Sequence, residues 1–219
     1  MRYKLVVWDF DGTLADSLPV GLRIFNQMAV EHGFLQIHDP EAARRLTVLR
    51  FIRAHKIPLL SVPRLVRKFL VHQAEAMAGT RLYPHVPAML EAVRLHGFRQ
   101  GIVSSNKELN IRTCLQANQM EDPFSFVIGC GGLFGKRRAL KKLIRAEKVK
   151  GHEALYIGDE VRDIKAARRA GLDIAAVGWG FNNPETLANY RPTHLVESPD
   201  QLLDILQLSS PRLAAEPVG

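Results

Sequence analysis

Short apolar runs alternate with stretches of helical periodicity along most of this 219-residue chain, and this alternation limits the possible folds more than any other feature. Strands separated by helices form parallel sheets that are covered by helices on both faces. The sequence therefore predicts an α/β fold with a three-layer, Rossmann-like core. The apolar runs predict strands at residues 4–8, 100–104, 125–129, 154–158, 174–177 and 193–196.

Residues that typically begin or end helices support the segments between these strands. Asp39 and Asn183 are each followed by proline, which is the pattern of an N-cap with proline at the first helical position. Ser198 and Gln201 have the spacing of a capping box. Three glycines stand where helices are expected to end: Gly33, Gly97 and Gly171.

The alternation fails between the first two strands. From about residue 16 to residue 82 the chain shows only helical stretches, at 40–55 and 62–79, which predicts an inserted helical subdomain. The last residues have the Pro/Ala/Ser composition of a loosely held tail. The predicted division is a core of residues 1–15 and 83–208, a small helical cap of residues 16–82 and a C-terminal tail of residues 209–219.

Composition and charge exclude several classes of protein. Hydrophobic residues make up 47% of the chain and charged residues 24%, which excludes a disordered or fibrous protein. The net charge of +8 is concentrated in the insert and in residues 137–150. Such regions suit an anionic small molecule or nucleic acid. Because no DNA-binding motif or interleaved aromatic residues accompany them, nucleic acid is disfavoured, and helix 137–148 is expected to present a solvated basic face.

The sequence also bears on the compartment. It contains no run of 18 apolar residues, and its first apolar stretch is too short for a signal peptide. Cys114 and Cys130 fit no metal-binding or redox motif. We therefore expect a cytoplasmic protein, a monomer or homodimer, with no membrane partner.

Two carboxylates follow the first predicted strand directly. Asp9 and Asp11 are two residues apart, so in extended chain they point to the same side, and Gly12 then permits a tight turn. In open parallel sheets, ligands bind beyond the carboxyl ends of the strands. Both aspartates are therefore expected at the active edge of the sheet.

Polar residues also follow the next three strands. They are Ser104, Ser105 and Asn106, where a helix N-terminus favours an anion, then Lys136, then Asp159 with Asp163. The region before Lys136 does not fit a Walker A loop, and no histidines have metal-ligand spacing. Transfer of a phosphoryl group through an aspartyl phosphate needs a carboxylate nucleophile, a proton donor, cations and carboxylates for Mg²⁺. The polar residues that follow the four strands offer all of these groups.

With these motifs in place, the sequence resembles the haloacid dehalogenase superfamily of phosphohydrolases, and within it the phosphoglycolate-phosphatase-like branch. The resemblance extends from about residue 4 to residue 206. The motifs that carry it are Asp9-Phe10-Asp11-Gly12-Thr13, Ile102-Val103-Ser104, Lys136 at the start of a helix, and Gly158-Asp159 with Asp163. The helical insert then resembles the cap that covers the active site in this family.

The resemblance implies a role for each motif residue. Asp9 is the nucleophile and a Mg²⁺ ligand. Asp11 protonates the leaving oxygen and later activates water, while its backbone carbonyl binds the metal. Lys136 balances the charge on Asp9 and the phosphoryl group. Asp159 completes the metal site, and Asp163 supports that site without binding the metal directly.

The hydroxyl that holds the phosphoryl group has two candidates. Counting from the apolar run selects Ser104, which we prefer as the first polar residue after the strand. Aligning on Asn106 and Lys107 selects Ser105 instead. Ser105 and Asn106 are in either case predicted to contact substrate.

These features together predict a Mg²⁺-dependent phosphatase that hydrolyses a small, phosphoglycolate-like phosphate monoester of a metabolite. The alternatives are a sugar phosphomutase of the same superfamily, or a non-catalytic protein that binds through its basic regions. Arg50 and Arg53 share one face of the predicted helix 40–55. Because guanidinium groups bind carboxylates in bidentate fashion, we expect at least one of them to bind a second anion of the substrate.

Overall fold

The computed structural model describes residues 2–132 and 135–208, which form a sheet of six parallel strands in the order β3-β2-β1-β4-β5-β6. Each predicted strand is present, with ends shifted by no more than about two residues. The predicted tail, residues 209–219, lies outside the described ranges. The strands are β1 Leu5–Trp8, β2 Arg99–Ser104, β3 Val127–Gly129, β4 Ala154–Gly158, β5 Asp173–Val177 and β6 His194–Val196.

The central strand β1 shows why helices cover both faces of the sheet. Successive side chains of a strand point to opposite faces, and all four residues of β1 are buried. Val6 and Trp8 pack into one core cluster, and Leu5 and Val7 into another on the opposite face. The first cluster includes residues of α5 (Val86–Leu95), α6 (Glu108–Ala117) and α10 (Pro199–Ile205); the second includes residues of α7 (Lys136–Ala146), α8 (Val161–Ala170) and α9 (Pro184–Ala188). The three-layer α/β fold is therefore confirmed.

The predicted helix ends are mostly correct. The Asp39 side chain accepts a hydrogen bond from the Ala42 amide, and the Asn183 side chain accepts one from the Thr186 amide. The capping box at Ser198 is wrong, because Ser198 makes no side-chain cap bond and Gln201 instead accepts from the Glu197 amide at 2.8 Å. Gly33, Gly97 and Gly171 all have positive φ angles just beyond helix ends.

Of the five α-helices between β1 and β2, α5 packs on the sheet and the first four form what we call the helical insert: α1 (Leu18–His32), α2 (Pro40–Arg44), α3 (Val48–Ala54) and α4 (Val62–Ala76). Three-residue 3₁₀ turns follow α3 and α4, at Leu59–Ser61 and Met77–Gly79, and a third, Gly151–Glu153, precedes β4. The insert has its own small core around Ile24, Met28 and Phe34. The two chain segments that join it to the sheet pair with each other at Ala15 and Leu82.

The single helix expected over residues 40–55 is wrong, because the chain forms two helices there. The backbone carbonyls of Arg44 and Leu46 accept hydrogen bonds from the Asn182 side-chain amide, at 2.9 and 3.1 Å. A continuous helix needs these carbonyls for amides four residues later. Helix α2 therefore ends at Arg44, and α3 begins after Thr47.

The outer surface of α7 agrees with the expected basic face. Leu140 and Leu143 are buried, while Arg137, Arg138 and Lys142 are exposed. Within the described ranges, no helix combines the length and apolar character needed to cross a bilayer.

Candidate active site

Three buried aspartates meet at the carboxyl ends of β1 and β4. One carboxylate oxygen each from Asp9, Asp159 and Asp163 lies within 4.8 Å of the other two. These side chains are at most 2% exposed. Strands β1 and β4 are neighbours although the chain visits β2 and β3 between them, and open α/β sheets bind ligands at such a switch in strand order.

Asp159 is held by the turn that follows β1. Its Oδ1 accepts from the Thr13 hydroxyl at 2.8 Å, and its Oδ2 accepts from the Phe181 amide at 2.7 Å. A Cβ at Gly12 would lie 2.3 Å from Asp159 Oδ2, and Gly12 has a φ of +75°. Only glycine allows this close approach and this backbone conformation together.

Lys136 joins two of the three aspartates. It is the first residue of α7 and is buried, and its Nζ donates to Asp9 Oδ2 and, at 2.5 Å, to Asp163 Oδ1. The other oxygen of Asp163 accepts from the Glu160 amide at 3.0 Å. Burial disfavours the charge of Lys136, but Asp163 and Asp9 outweigh it and raise its pKa. The lysine is therefore a fixed cation beside Asp9.

The aspartate cluster carries more negative charge than one lysine neutralises. Burial raises the pKa of Asp9 to about 7, against the opposing effect of Lys136, and the Asp163 carboxylate adds to the rise. Burial, followed by the charges of Glu160 and Asp9, also raises the pKa of Asp159. Three carboxylates in a buried site are the donor set of a hard divalent cation such as Mg²⁺. The residues present therefore fit such an ion.

Asp11 is separate from this cluster and is held from two directions. Its Oδ1 accepts from the Gln73 side chain at 2.6 Å, and its Oδ2 accepts from the Asn106 side chain at 2.9 Å. Asn110 supports Asn106 in turn, at 2.9 Å. Burial raises the pKa of Asp11, which favours a protonated carboxyl group. Gln73, on α4 of the insert, was not predicted, since a lone glutamine in an amphipathic helix has no distinguishing signal.

The two candidate serines have different surroundings. Ser104 is the last residue of β2, is 1% exposed, and its Oγ accepts from the Asn106 amide at 3.2 Å. Ser105 lines the cavity described below, and its Oγ is buried with no hydrogen-bond partner in the described part of the chain. Of the two hydroxyl groups, that of Ser105 has no hydrogen-bond partner among the described residues, whereas that of Ser104 has one.

The structure does not bring Arg50 or Arg53 to the site. Both residues are exposed and neither lines the cavity. Helix α3 turns Phe51 and Ile52 toward the cavity, which leaves the two arginines on the opposite, solvated side.

An arginine that the sequence analysis missed does line the cavity. Arg162, in the first turn of α8, donates from Nη2 to Glu160 Oε1 at 2.5 Å. Its Nε and Nη1 are buried and have no hydrogen-bond partner among the residues described. Its charge opposes the rise that burial causes in the pKa of Asp9 and of Asp11. Arg162 directly precedes Asp163 of the aspartate cluster.

A cavity of about 320 Å³ lies between the helical insert and this edge of the sheet. Its polar end is formed by Asp11, Gln73, Ser105, Asn106, Glu160 and Arg162. Most of the remaining wall is apolar and comes from the insert. The arrangement therefore brings the Asp11 carboxyl group, Ser105 and the Arg162 cation together beside one cavity.

Comparison with known proteins agrees with this chemistry. Residues 6–177 match the family model described as haloacid dehalogenase-like hydrolase. The chain belongs to this family. A phosphoglycolate phosphatase of Synechococcus elongatus is 34% identical over 202 residues, which cover 91% of this chain and 95% of the relative. An N-acetylmuramic acid 6-phosphate phosphatase of Pseudomonas aeruginosa is 29% identical over 219 residues, covering 94% and 96%.

Solved structures of other haloacid dehalogenase-like proteins share the fold. A predicted phosphatase from Clostridium acetobutylicum has a TM-score of 0.80 at 22% identity and covers 95% of this chain and 100% of its own. A predicted phosphoglycolate phosphatase from Haemophilus somnus has a TM-score of 0.76 at 22% identity, with coverage of 94% and 99%. The family predicted from the motifs is confirmed, as is the enzyme class, a phosphatase similar to phosphoglycolate phosphatases.

Proposed function

We propose that this hydrolase removes the phosphoryl group from a small phosphate monoester through a phosphoaspartate on Asp9, with Mg²⁺ as cofactor. The observation that carries the proposal is the position of Asp9. Its carboxylate is buried beside the Lys136 ammonium group and shares a cluster with Asp159 and Asp163. Burying three carboxylates at the end of a strand does not stabilise the fold, because desolvation of charged groups is costly. Phosphoryl transfer, in contrast, uses each of them.

Asp9 and Asp159 would hold the magnesium ion through carboxylate oxygens, and Asp11 through its backbone carbonyl. Asp163 would support this site without binding the ion directly, because its two oxygens already accept hydrogen bonds from Lys136 and from the Glu160 amide. When bound, the ion supplies positive charge that offsets repulsion between the carboxylates and the phosphate and stabilises the transferring phosphoryl group.

The chain's own residues account for both halves of the reaction. Asp9 attacks phosphorus and the bond from phosphorus to the alcohol oxygen breaks. Asp11, whose protonated form is favoured because burial raises its pKa, gives its proton to that oxygen. The Asp11 carboxylate then takes a proton from water as the water attacks the phosphoaspartate, which releases inorganic phosphate and restores Asp9.

The oxygens of the phosphoryl group need donors and cations during this transfer. Ser105 offers a free hydroxyl at the cavity, and the amides at the start of α6 offer the positive end of a helix. Lys136 and Arg162 add two cations, and Arg162 has buried N–H groups that no residue in the described ranges accepts from. We therefore propose Ser105, rather than Ser104, as the hydroxyl that binds the phosphoryl group.

The test is release of inorganic phosphate from p-nitrophenyl phosphate with Mg²⁺. Asp9→Asn keeps the size of the side chain but removes the nucleophile, so turnover should fall by more than about a thousandfold. Asp39→Asn is the matched control, because asparagine also caps helices well, and it should leave turnover unchanged. Asp9→Asn with more than a few per cent of the wild-type rate would contradict the proposal. Phosphate release also separates a phosphatase from a phosphomutase, which returns the group to a sugar.

A further inference from the structure

We propose that the substrate is the phosphate ester of an apolar alcohol, whose hydrocarbon part lies in the cavity between the helical insert and the sheet. The inference rests on the proposed function, because it assigns the space beside Asp11 to the alcohol part of the ester. It concerns the class of substrate, which the catalytic groups alone do not determine.

The wall of the cavity is apolar over most of its surface. Helices α1, α3 and α4 contribute Phe25, Phe51, Leu65 and Phe69, and the segment after β5 contributes Phe181. These side chains face a space that is continuous with Asp11 and Ser105. Binding of an apolar ligand to such a surface is favourable, because it removes apolar area of both the ligand and the wall from water.

The insert offers few polar groups to a second anion of the substrate. Arg44 and Gln73 are its only polar side chains on the wall within the ranges described. The three guanidinium nitrogens of Arg44 donate to the Gly180 carbonyl, the Gly178 carbonyl and Glu41, at 2.9, 2.8 and 2.9 Å. Gln73 donates to Asp11. A carboxylate at the far end of the substrate would have only the two remaining N–H groups of Arg44, a guanidinium already engaged by Glu41 and two backbone carbonyls, and its burial there would be costly.

Among the arginines on the cavity wall in the described ranges, Arg162 has buried N–H groups without a partner, and it lies at the other end of the cavity. It stands in the first turn of α8, directly before Asp163 of the aspartate cluster, so its charge is assigned to the phosphoryl group rather than to the alcohol part. The charge distribution is thus one-sided, with donors and cations at the reacting end and hydrocarbon beyond it.

The size of the cavity points in the same direction. Its volume is about 320 Å³, and a water molecule takes about 30 Å³ of the liquid, so there is room for roughly ten water-sized groups. A two-carbon acid would leave most of the apolar wall in contact with water. An alkyl chain of roughly six carbons, or one aromatic ring, would cover it.

The test is the kcat/KM of the Mg²⁺-loaded enzyme for ethyl, butyl, hexyl and octyl phosphate and for phosphoglycolate. Burial of each methylene is expected to raise kcat/KM about fourfold, so hexyl phosphate, which is four methylenes longer, should exceed ethyl phosphate by roughly two-hundredfold. It should also exceed phosphoglycolate. A flat or falling series, or phosphoglycolate as the best substrate, would overturn the inference.

Substitutions in the cavity wall test whether the hydrocarbon part of the substrate binds there. Val66 lines the cavity, and Val66→Thr keeps its shape while adding a hydroxyl. The ratio of hexyl to ethyl kcat/KM should fall about fivefold, and further in Leu65→Gln. Leu60→Gln is the matched control, since Leu60 is 98% exposed, and it should leave the ratio unchanged. Equal ratios in wild type, Val66→Thr and Leu65→Gln would overturn the assignment of the wall.

Binding separates this inference from the proposed function. Calorimetry in Mg²⁺ should show n-hexylphosphonate binding at least about tenfold more tightly than phosphonoacetate, whether or not esters are hydrolysed. If that order holds and no ester is hydrolysed, the cavity assignment stands and the proposed reaction fails. If Asp9-dependent turnover prefers phosphoglycolate, the reaction stands and the apolar substrate is wrong.

Discussion

Gln73 donates a 2.6 Å hydrogen bond from its side-chain amide to Asp11 Oδ1, and this bond links the helical insert to the residue proposed as general acid and base. Gln73 is buried on α4, whereas Asp11 follows β1. A movement of the insert relative to the sheet would therefore change or break a hydrogen bond to the Asp11 carboxyl group. Gln73 acts here as a positioning residue.

Gln73→Ala should lower kcat about tenfold with a smaller change in KM, because Asp11 loses one of its two side-chain partners. A hydrogen bond donated to a carboxylate favours the ionised form, so its loss should also move the Asp11 limb of the kcat profile to higher pH. The measurement is kcat against pH for wild type and variant. An unchanged pH profile would contradict a positioning role. Gln27→Ala, an exposed glutamine on α1, is the matched control.

Ser105→Ala should reduce kcat/KM more than Ser104→Ala. Ser105 has a free hydroxyl at the cavity, and loss of one such donor costs on the order of a hundredfold in a transition state. Ser104 is enclosed in β2 and bonded to the Asn106 amide, so its replacement should reduce kcat/KM only a few-fold. Steady-state kinetics of the two variants decides between them. A larger loss in Ser104→Ala would restore the assignment made from the sequence.

Arg162→Met should raise KM and lower kcat together, by roughly tenfold each, if its buried N–H groups bind the phosphoryl group. Arg162→Lys keeps the charge but not the bidentate geometry and should recover only part of the loss. Arg50→Met provides the matched control, because Arg50 is exposed and does not line the cavity. Wild-type kinetics in Arg162→Met would remove this residue from substrate binding.

Metal binding should be coupled to pH. In the metal-free protein, burial raises the pKa of Asp9 to about 7, above its value of about 4 in an unfolded chain. The folded state then binds more protons than the unfolded state between these values, so the free energy of unfolding should fall as the pH rises from about 4 to 7. Mg²⁺ binds the ionised carboxylates and offsets this loss. The Mg²⁺-induced rise in Tm should therefore be larger at about pH 8 than at about pH 5.5. An equal rise at both pH values would contradict the coupling.

The sheet and the placement of Asp9, Asp11, Lys136 and Asp159 were predictable because their signals are local. Each follows an apolar strand, and parallel strands bring their carboxyl ends to one edge. The choice between Ser104 and Ser105 was not predictable in this way. Strand β2 ends at Ser104 as predicted, but successive side chains point to opposite sides, and the sequence does not show which of the two consecutive serines faces the substrate.

The residues that were missed depend on packing between distant segments. Arg44 and the break after α2 are set by contacts with Asn182 and its neighbouring carbonyls, more than 130 residues away. The direction of Arg50 and Arg53 follows from which face of α3 covers the cavity. No pattern within residues 40–55 carries that information, so the helical periodicity there predicted an uninterrupted helix and a functional arginine face.

The most direct test of the account is chemical quench of the Mg²⁺-loaded enzyme during turnover, followed by peptide mapping of acid-stable phosphorylated species. The predicted result is a phosphoryl group on the peptide containing Asp9, formed at least as fast as inorganic phosphate is released and absent from Asp9→Asn. Turnover that continues with no phosphorylated Asp9 peptide at any quench time, or with the label on another residue, would contradict the account.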